Sequence, residues 1–382
     1  MFNLFKKKKP NIIMIMLDGT RLDAIEKIPY FQELKKESVF FPQLIIYAPY
    51  TLGSVHATFS GMNGIHNGVN SYYKCLGFDD ANCITLTKYL KDNGYYTETD
   101  CPVDGVIPHQ SFDKYRMHDE FNIDFTERHA EVLRQIKDKS PFFLFLRYGG
   151  IHVNMVNAVI KKYTDFSEEY FKNRNKNFEN YVQWAEKAAI YVKTLIEKIK
   201  EFGLYDDSVI MVLADHGASV GDKIGEKAYG VYLYDYTIKC FLYLIGKDFP
   251  KDVIAKKQIR SIDILPTILE ILNIKEKEGY KKIQGSSFMP FVYGKEEDRF
   301  AYSSTGGLGG PTPSPERHNV HSIRTNKWKL IYNTTSQKKE LYDLENDEEE
   351  KNNLFGKYPE AEGTLFKEME KYLQELGEEI KN

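Results

Sequence analysis

The chain has 382 residues, which is enough for one large domain with an appendage or for two domains with a sizeable core. Its formal net charge of −3 argues against a general nucleic-acid-binding protein, since such proteins usually carry a basic excess. The four cysteines are scattered without a Cys-x-x-Cys pair, so the sequence supports neither a zinc knuckle nor a disulfide framework.

The N-terminal segment places four lysines, residues 6–9, shortly before an apolar run at residues 11–17. A secretory signal would need an apolar stretch that can be cleaved off, whereas this run is typical of a strand that the fold must keep. No segment reaches the roughly 18 consecutive apolar residues that a membrane-spanning helix needs. The sequence therefore predicts a cytoplasmic protein without an integral membrane segment. Its lysines form a solvated tail or, as the alternative, touch an anionic membrane surface.

Two unbroken apolar runs end on acidic side chains. Residues 11–17 lead into Asp18, and residues 208–214 lead into Asp215 and His216. Such runs indicate buried parallel strands. Because ligands bind outside the carboxyl ends of the strands in an open α/β sheet, these side chains are expected to meet in one crevice.

Thr51 lies at or just before the start of a predicted helix, within the run at residues 48–61. A threonine there is either an ordinary helix cap or, beside a metal ion, a nucleophile. Two carboxylates, an imidazole and a hydroxyl suit zinc or manganese better than calcium. The sequence predicts one divalent metal site, and its expected ligands are Asp18, Thr51, Asp215 and His216.

The second half of the chain adds a candidate site histidine and a separate unit. His152 follows another buried strand at residues 141–148, and that position favours a place in the same crevice. A Gly/Pro-rich segment at residues 303–315 is either a lid or a plain connector, and two histidines, His318 and His321, follow it. Beyond them the pattern predicts a hairpin, a further short strand and a charged helix; these span 320–332, 340–344 and 359–378.

Together these segments resemble the alkaline phosphatase and sulfatase superfamily, in the family's order and over nearly the whole chain. The segments that carry the resemblance are residues 17–23 (Leu-Asp-Gly-Thr-Arg-Leu-Asp), 51–61, 214–217, 261–269, 327–331 and 340–344. The resemblance implies an α/β fold with a mostly parallel central sheet flanked by helices. It also implies a catalytic domain over residues 1–300 and a small antiparallel sheet-plus-helix subdomain over residues 301–382 that completes the cleft.

The resemblance also implies roles for further side chains. His152 is expected to serve the leaving group as a catalytic residue. Lys223 or Lys227 is expected to bind a substrate oxyanion, and His66 is a weaker candidate for a substrate contact. The predicted substrate-binding set is Ser54, Lys227, His318 and His321. A second metal ion is disfavoured, because no aspartate lies beside His152.

The run from Thr51 to Val55 departs from the sulfatase pattern. Sulfatases of the family carry a Cys or Ser followed by x-Pro-x-Arg, and that residue becomes formylglycine; here the run is Thr-Leu-Gly-Ser-Val. This departure favours a phosphodiesterase-like hydrolase of phosphate esters or phosphonates, acting through a phospho-threonyl intermediate. The alternative is a phosphoethanolamine-type transferase acting on a glycan or lipid. A sulfuric ester hydrolase and a non-catalytic scaffold rank below both. The expected partner is a small-molecule, glycan-linked or lipid-linked phosphoester, and homo-oligomer formation is left open.

Overall fold

The computed structural model describes residues 9–163, 165–166, 168–295, 297–311, 313–375 and 377. Residues 6–8 of the basic cluster therefore lie outside the described part. Within it the strands are β1 (Asn11–Leu17), β2 (Val39–Ile45), β3 (Tyr96–Cys101), β4 (Lys114–Met117), β5 (Phe142–Tyr148), β6 (Ser208–Ala214), β7 (Lys239–Ile245), β8 (Val253–Ile254), β9 (Ile259–Arg260), β10 (Ala301–Thr305), β11 (Val320–Arg324), β12 (Trp328–Asn333) and β13 (Lys339–Asp343).

Helices lie between and after these strands. They are α1 (Leu22–Ile25), α2 (Pro29–Lys36), α3 (Thr51–Ser60), α4 (Gly64–Asn67), α5 (Leu86–Asp92), α6 (Phe125–Ile136), α7 (Gly150–Met155), α8 (Glu168–Lys172), α9 (Arg174–Glu201), α10 (Asp235–Ile238), α11 (Ile264–Ile271), α12 (Met289–Val292) and α13 (Pro359–Glu375). Short 3-10 and π turns span Tyr72–Gly77, Val156–Ile160, Tyr205–Asp207 and Ser261–Asp263.

The larger sheet has the strand order β4-β3-β5-β1-β6-β7-β2-β8, with β9 also paired to β2. Strand β1 runs parallel to β5 and β6, and β3 runs parallel to β4 and β5. Strand β7 is antiparallel to both of its neighbours. The prediction of a mostly parallel central sheet flanked by helices is therefore confirmed.

The register of the three central strands decides where the site can form. Leu17, the last residue of β1, lies opposite Tyr148 of β5 and Ala214 of β6. All residues of these strands are buried, as expected for strands covered on both faces. The chain segments that follow the three strands therefore begin side by side at one edge of the sheet.

The C-terminal unit is a second sheet with the antiparallel order β10-β11-β12-β13. Helix α13 packs on it through buried Leu365, Met369 and Leu373. This agrees with the predicted small antiparallel sheet-plus-helix unit. The hydrophobic cluster beneath α13 continues into the first unit, because Tyr47 and Tyr50 belong to it. The predicted boundary at residue 300 stays a prediction.

Among the described residues, no helix is both long enough and apolar enough to cross a bilayer. The cytoplasmic location stays a prediction.

Candidate active site and metal centre

Three buried side chains meet where β1 and β6 end. Asp18 directly follows β1, and Asp215 and His216 directly follow β6. The Nε2 atom of His216 lies 3.4 Å from Oδ1 of Asp18 and 3.7 Å from Oδ2 of Asp215. One ligand atom from each residue lies within 4.8 Å of the other two.

The hydrogen bonds around this group leave its inner atoms available for a cation. Oδ1 of Asp215 accepts from the backbone N–H groups of Gly19 (3.1 Å) and His216 (2.9 Å). Gly19 adopts a positive φ of 65°, which aims its N–H at this carboxylate. The opposite oxygens, Oδ2 of Asp215 and Oδ1 of Asp18, are buried and have no hydrogen-bond donor.

The tautomer of His216 follows from its own contact. Its Nδ1 lies 2.7 Å from the Gly217 carbonyl oxygen, which can only accept, so Nδ1 carries the proton. Nε2 is then a lone pair directed at the two carboxylates. Two buried carboxylate oxygens without donors and one imidazole lone pair are the donor set of a divalent metal site. Asp18, Asp215 and His216 therefore fit a bound cation.

Thr51 faces this group from helix α3. It is the first residue of the helix, and extended Tyr50 precedes it at the cap position. The hydroxyl oxygen Oγ1 of Thr51 lies 3.3 Å from Nε2 of His216. The hydroxyl thus points at the metal-ligand group rather than capping the helix.

Gly53, which stands at the proline position of the sulfatase pattern, lies in close contact with the turn before α3. A Cβ atom at this position would lie 2.6 Å from Cβ of Ala48 and 3.1 Å from the Tyr50 ring. The turn before α3 is thus packed against the helix backbone at this point. This close approach fixes the start of α3, and with it the position of Thr51.

Behind Asp18 lies a second polar group that the sequence analysis did not identify. The guanidinium of Arg147 pairs with Oδ2 of Asp18, and its Nη1 lies 3.1 Å from Oε2 of Glu120. An arginine inside the otherwise apolar β5 was the available signal for Arg147. Glu120 lies in the loop between β4 and α6, and no sequence pattern marks it.

His152 lies near the site, as its position after β5 predicts. Its Nδ1 lies 3.8 Å from Oδ2 of Asp18 and 3.1 Å from the hydroxyl of Tyr229, and its Nε2 lies 3.5 Å from Oε1 of Glu120. Burial, together with the charge of Arg147, lowers the pKa of His152 to about 4. His152 is therefore neutral at pH 7.

Not all of the predicted substrate-binding residues lie beside the group formed by Asp18, Asp215 and His216. Ser54 lies one turn along α3 from Thr51, buried, and its hydroxyl has no hydrogen-bond partner. Lys227 instead donates to the Tyr163 carbonyl oxygen at 2.6 Å and lies over the Phe166 ring.

Lys223 and His66 also have partners outside the group. The Lys223 ammonium donates to the Glu350 carbonyl oxygen. Nε2 of His66 lies 2.8 Å from Oε2 of Glu375 on the last helix.

The two C-terminal histidines are buried and have partners within the fold. Nε2 of His318 lies 2.6 Å from the Tyr50 hydroxyl, behind the Thr51 turn. Nδ1 of His321 lies 3.0 Å from Oγ of Ser304 within the small sheet. Burial lowers the pKa of both imidazoles to about 3, so both are neutral. Their contacts favour support of the fold over substrate binding.

Comparisons with known proteins agree with this architecture. The family model described as Sulfatase matches residues 10–274, and the model described as N-sulphoglucosamine sulphohydrolase, C-terminal, matches residues 231–379. The ulvan-active sulfatase of Formosa agariphila is 24% identical over 435 residues, covering 98% of this chain and 83% of that protein.

Two solved structures show the same fold. A protein in complex with its substrate, D-glucosamine-2-N,6-O-disulfate, has a TM-score of 0.74 at 16% identity; the match covers 96% of this chain and 98% of that one. The phosphonate monoester hydrolase of Agrobacterium radiobacter has a TM-score of 0.73 at 14% identity, covering 96% and 95%.

These comparisons overturn the prediction of a phosphodiesterase-like hydrolase or phosphoryl-headgroup transferase, and with it the expected phosphoester substrate. The family models and the long relative are sulfatases. The likeness to the phosphonate hydrolase concerns the fold alone. The prediction was wrong because it let a few residues near Thr51 decide the reaction. Those residues are one short run, whereas the two sulfatase family models match residues 10–274 and 231–379.

Proposed function

Because the chain belongs to the sulfatase family, we propose that it is a metal-dependent hydrolase of sulfate esters, with Thr51 as the nucleophile. The observation that carries the proposal is the position of the Thr51 hydroxyl, 3.3 Å from Nε2 of His216. That nitrogen belongs to a buried donor set suited to a divalent cation. A scaffold without activity would have no reason to keep buried carboxylate oxygens without donors.

Asp18, Asp215, His216 and Thr51 are the residues that would hold the cation. When bound, a divalent cation lowers the pKa of a coordinated hydroxyl and draws charge from the oxygens of a sulfuryl group. The chain itself supplies orientation. Backbone N–H groups fix Asp215, the Gly217 carbonyl fixes the tautomer of His216, and the first turn of α3 presents unpaired N–H groups toward an anion.

The reaction that we assign to Thr51 has two steps. Oγ1 attacks the sulfur in line with the ester oxygen, so the new O–S bond forms as the ester S–O bond breaks. The product is sulfated Thr51 and the free alcohol. Water then attacks the same sulfur, which releases sulfate and restores Thr51. The second step differs from the formylglycine route, because a threonine has no aldehyde form.

His152 is our candidate for proton transfer to the departing oxygen. Since it is neutral at pH 7, it must receive a proton before it can deliver one. Glu120 is the adjacent exchange partner, 3.5 Å from Nε2, and burial raises the pKa of this carboxyl group. The Tyr229 hydroxyl at Nδ1 orients the ring.

We further propose a sulfated carbohydrate as the substrate class. The support is the ulvan-active relative and the structural neighbour bound to its substrate, a disulfated glucosamine. An exposed aromatic ring also lies near the nucleophile, because Tyr72, which is 39% exposed, contacts the Tyr50 ring edge-on. Aromatic faces of this kind stack on sugars through their apolar C–H surfaces.

Sulfate release measured by ion chromatography tests the proposal. The panel is 4-methylumbelliferyl sulfate and sulfated mono- and oligosaccharides, each assayed with zinc, manganese, calcium or magnesium. We expect release that a chelator abolishes. Turnover of matched phosphate esters with no sulfate release under any of these metals would reject the sulfatase assignment.

A further inference from the structure

The segment that follows His152 leads from the crevice to the protein surface. Helix α7 continues into a π turn over Val156–Ile160, and the Lys161 N–H donates to the Val156 carbonyl oxygen at 2.9 Å. Single π turns within helices occur frequently at functional sites. This turn ends on Lys161 and Lys162, two exposed lysines that have no part in the reaction described above.

Lys161 lies over an exposed aromatic ring beside the proposed proton-transfer group. Its Nζ is 5.1 Å from the centroid of the Phe121 ring, and Phe121 is 49% exposed. Glu120 precedes Phe121, and its Oε1 lies 3.5 Å from Nε2 of His152. The side chains of His152 and Glu120 are both partly exposed, so the crevice opens at this point. The Phe121 ring and the Lys161 ammonium therefore lie next to that opening.

Lys162 forms a second pair of the same kind. Its Nζ is 5.0 Å from the centroid of the Tyr163 ring. Lys227 donates to the Tyr163 carbonyl oxygen at 2.6 Å. Tyr229 lies on the same loop as Lys227 and contacts Nδ1 of His152 at 3.1 Å. The segment that carries both lysines is thus attached to the loop that orients His152.

The charges of the two ammonium groups are available to a ligand. Lys161 donates to Oδ1 of Asn157, a neutral group, at 2.9 Å. In the part of the chain that the structure describes, neither lysine lies within ion-pair distance of a carboxylate. The Glu120 carboxylate is balanced by Arg147, whose Nη1 lies 3.1 Å from its Oε2. Since an ammonium has three donors and binds anions most strongly, the two lysines suit an anionic group.

The position of the two lysines fits an anion other than the ester at Thr51. Lys161 is nine residues beyond His152, which corresponds to on the order of 10 Å along a helix. A single sugar with its sulfate ester at Thr51 does not reach that far, whereas the next sugars of a chain do. Aromatic rings stack on the C–H faces of sugars, and ammonium groups pair with sulfate esters. Phe121 and the two lysines together supply both contacts.

We propose that Phe121, Lys161 and Lys162 form an outer subsite, which binds a further sulfated sugar of the chain whose ester is cleaved at Thr51. This inference deepens the proposed function and rests on it for the class of ligand. Its consequence is a preference for oligosaccharides that carry more than one sulfate group over sugars that carry one.

Binding measured without turnover tests the proposal. The full chain carrying Thr51→Ala, called the parent here, is titrated by calorimetry in the presence of MnCl₂. The probes are sulfated tetrasaccharides prepared from heparin, chondroitin sulfate and carrageenan, together with their desulfated forms. We expect Lys161→Gln/Lys162→Gln in the parent to raise the Kd of the best sulfated tetrasaccharide roughly tenfold. The Kd of its desulfated form should not change.

Phe121→Ala separates stacking from charge. It should weaken the binding of the sulfated and the desulfated tetrasaccharide by the same factor, because a ring stacks on either sugar. Phe121→Tyr keeps the ring and should keep the affinity of the parent. Lys161→Arg/Lys162→Arg keeps both charges and should likewise bind the sulfated tetrasaccharide as the parent does.

Lys198→Gln/Lys200→Gln is the matched control. Both lysines are exposed on the last turns of α9, which precede the first residue of β6 and so lie at the sheet edge opposite the site. The change removes the same charge and should leave the Kd of the sulfated tetrasaccharide unaltered. An equal loss of affinity in this control would overturn the proposal, because it would show an effect of net charge alone.

Two further results would also overturn the outer subsite. One is an unchanged Kd for the sulfated tetrasaccharide in the Lys161→Gln/Lys162→Gln protein, and the other is failure of every sulfated tetrasaccharide to bind the parent. Failure of the proposed function is seen separately, as absence of sulfate release by the wild type. A tenfold loss of binding in the lysine variant would support the subsite even then, since the titration requires no turnover.

Discussion

Thr51 is the side chain on which the proposed reaction depends most directly. Thr51→Ala removes the oxygen that lies 3.3 Å from His216 and keeps the start of α3. We expect kcat for sulfate release to fall on the order of 10³-fold or more, as for other removed nucleophiles. Thr51→Ser retains the oxygen and should keep measurable turnover. Steady-state kinetics on 4-methylumbelliferyl sulfate measures both.

A change on another helix controls for the kinetic test. Thr194→Ala removes a hydroxyl that donates to the Ile190 carbonyl within α9, and it should leave kcat unchanged. Rapid quenching followed by mass spectrometry should find one sulfuryl group on the peptide that carries Thr51. Undiminished turnover by Thr51→Ala would falsify the nucleophile assignment.

Asp215 is the ligand whose substitution should disturb the backbone least. In Asp215→Asn the amide oxygen can still accept from the N–H groups of Gly19 and His216, while one anionic ligand is lost. We expect metal affinity to fall on the order of 100-fold. At a metal concentration of 100 times the wild-type Kd, the wild type gains about 2.7 kcal/mol of stability and the variant much less.

Urea unfolding with and without metal measures this difference. Asp206→Asn is a suitable control, because Asp206 is an exposed aspartate that lies just before the first residue of β6, far from the metal-ligand end of the strand. The metal-dependent gain in the free energy of unfolding of Asp206→Asn should equal that of the wild type. An equal gain in Asp215→Asn would show that Asp215 is not a metal ligand.

At the scale of elements, the loop between β6 and α10 depends on one buried carboxyl group. Glu226 accepts from the N–H groups of Val231 (2.8 Å) and Tyr232 (2.9 Å) and from the Tyr236 hydroxyl (2.6 Å). Burial raises its pKa to about 7. The same loop carries Tyr229, which contacts His152.

This shift makes folding stability depend on pH. The folded state holds the proton up to about pH 7 and the unfolded chain only to about pH 4.5, so the contribution of Glu226 is greatest at low pH. It is lost as pH rises through 7, by on the order of 3 kcal/mol. Glu226→Gln should therefore gain stability relative to wild type between pH 5 and pH 8.

Urea unfolding at the two pH values measures the change. Glu201→Gln, at the exposed end of α9, is the control. Its free energy of unfolding should differ from that of the wild type by the same amount at pH 5 and at pH 8. A difference for Glu226→Gln that does not vary with pH would contradict the raised pKa.

The elements also show what the sequence could predict and why. Apolar runs ending on carboxylates predicted β1, β6 and the meeting of Asp18 with Asp215, because parallel strands bring their carboxyl ends to one edge. Glu120 could not be found in this way. Its approach to Arg147 depends on how a loop folds over the sheet, which no local pattern encodes.

Burial explains where the structure places two histidines that were selected by residue type. His318 and His321 were chosen because histidines beside a flexible segment can reach a cleft. Their aromatic and hydroxyl partners instead place both inside the fold. The reaction class was misjudged for a related reason. The run from Thr51 to Val55 lacks the Cys or Ser and the x-Pro-x-Arg pattern of sulfatases, while the Sulfatase family model matches residues 10–274.

At the scale of the whole molecule, side chains of both units pack together beside Thr51, the proposed nucleophile. Tyr50, the residue before Thr51, lies in a hydrophobic cluster with Ile323 and Leu330 of the small sheet. His318 binds the Tyr50 hydroxyl from the same side. The C-terminal unit thus supports the turn that presents Thr51, so its loss should remove activity as well as stability.

A buried ion network joins the two units and provides a test of whether they unfold together. The Lys329 ammonium on β12 lies 2.9 Å from Oδ1 of Asp235 on α10 and 2.7 Å from Oε1 of Glu350. Arg324 also binds Asp235, at 2.9 Å.

Lys329→Met leaves two buried carboxylates short of a cation, which costs about 3–5 kcal/mol. Because the network joins both units, we expect a single calorimetric transition, shifted to lower temperature. Lys327→Met breaks an exposed pair with Glu345 and a contact with the Trp328 ring, and it should cost less than about 1 kcal/mol. Two resolved transitions in wild type or in Lys329→Met would show that the C-terminal unit unfolds independently, and the link between that unit and Thr51 would then fail.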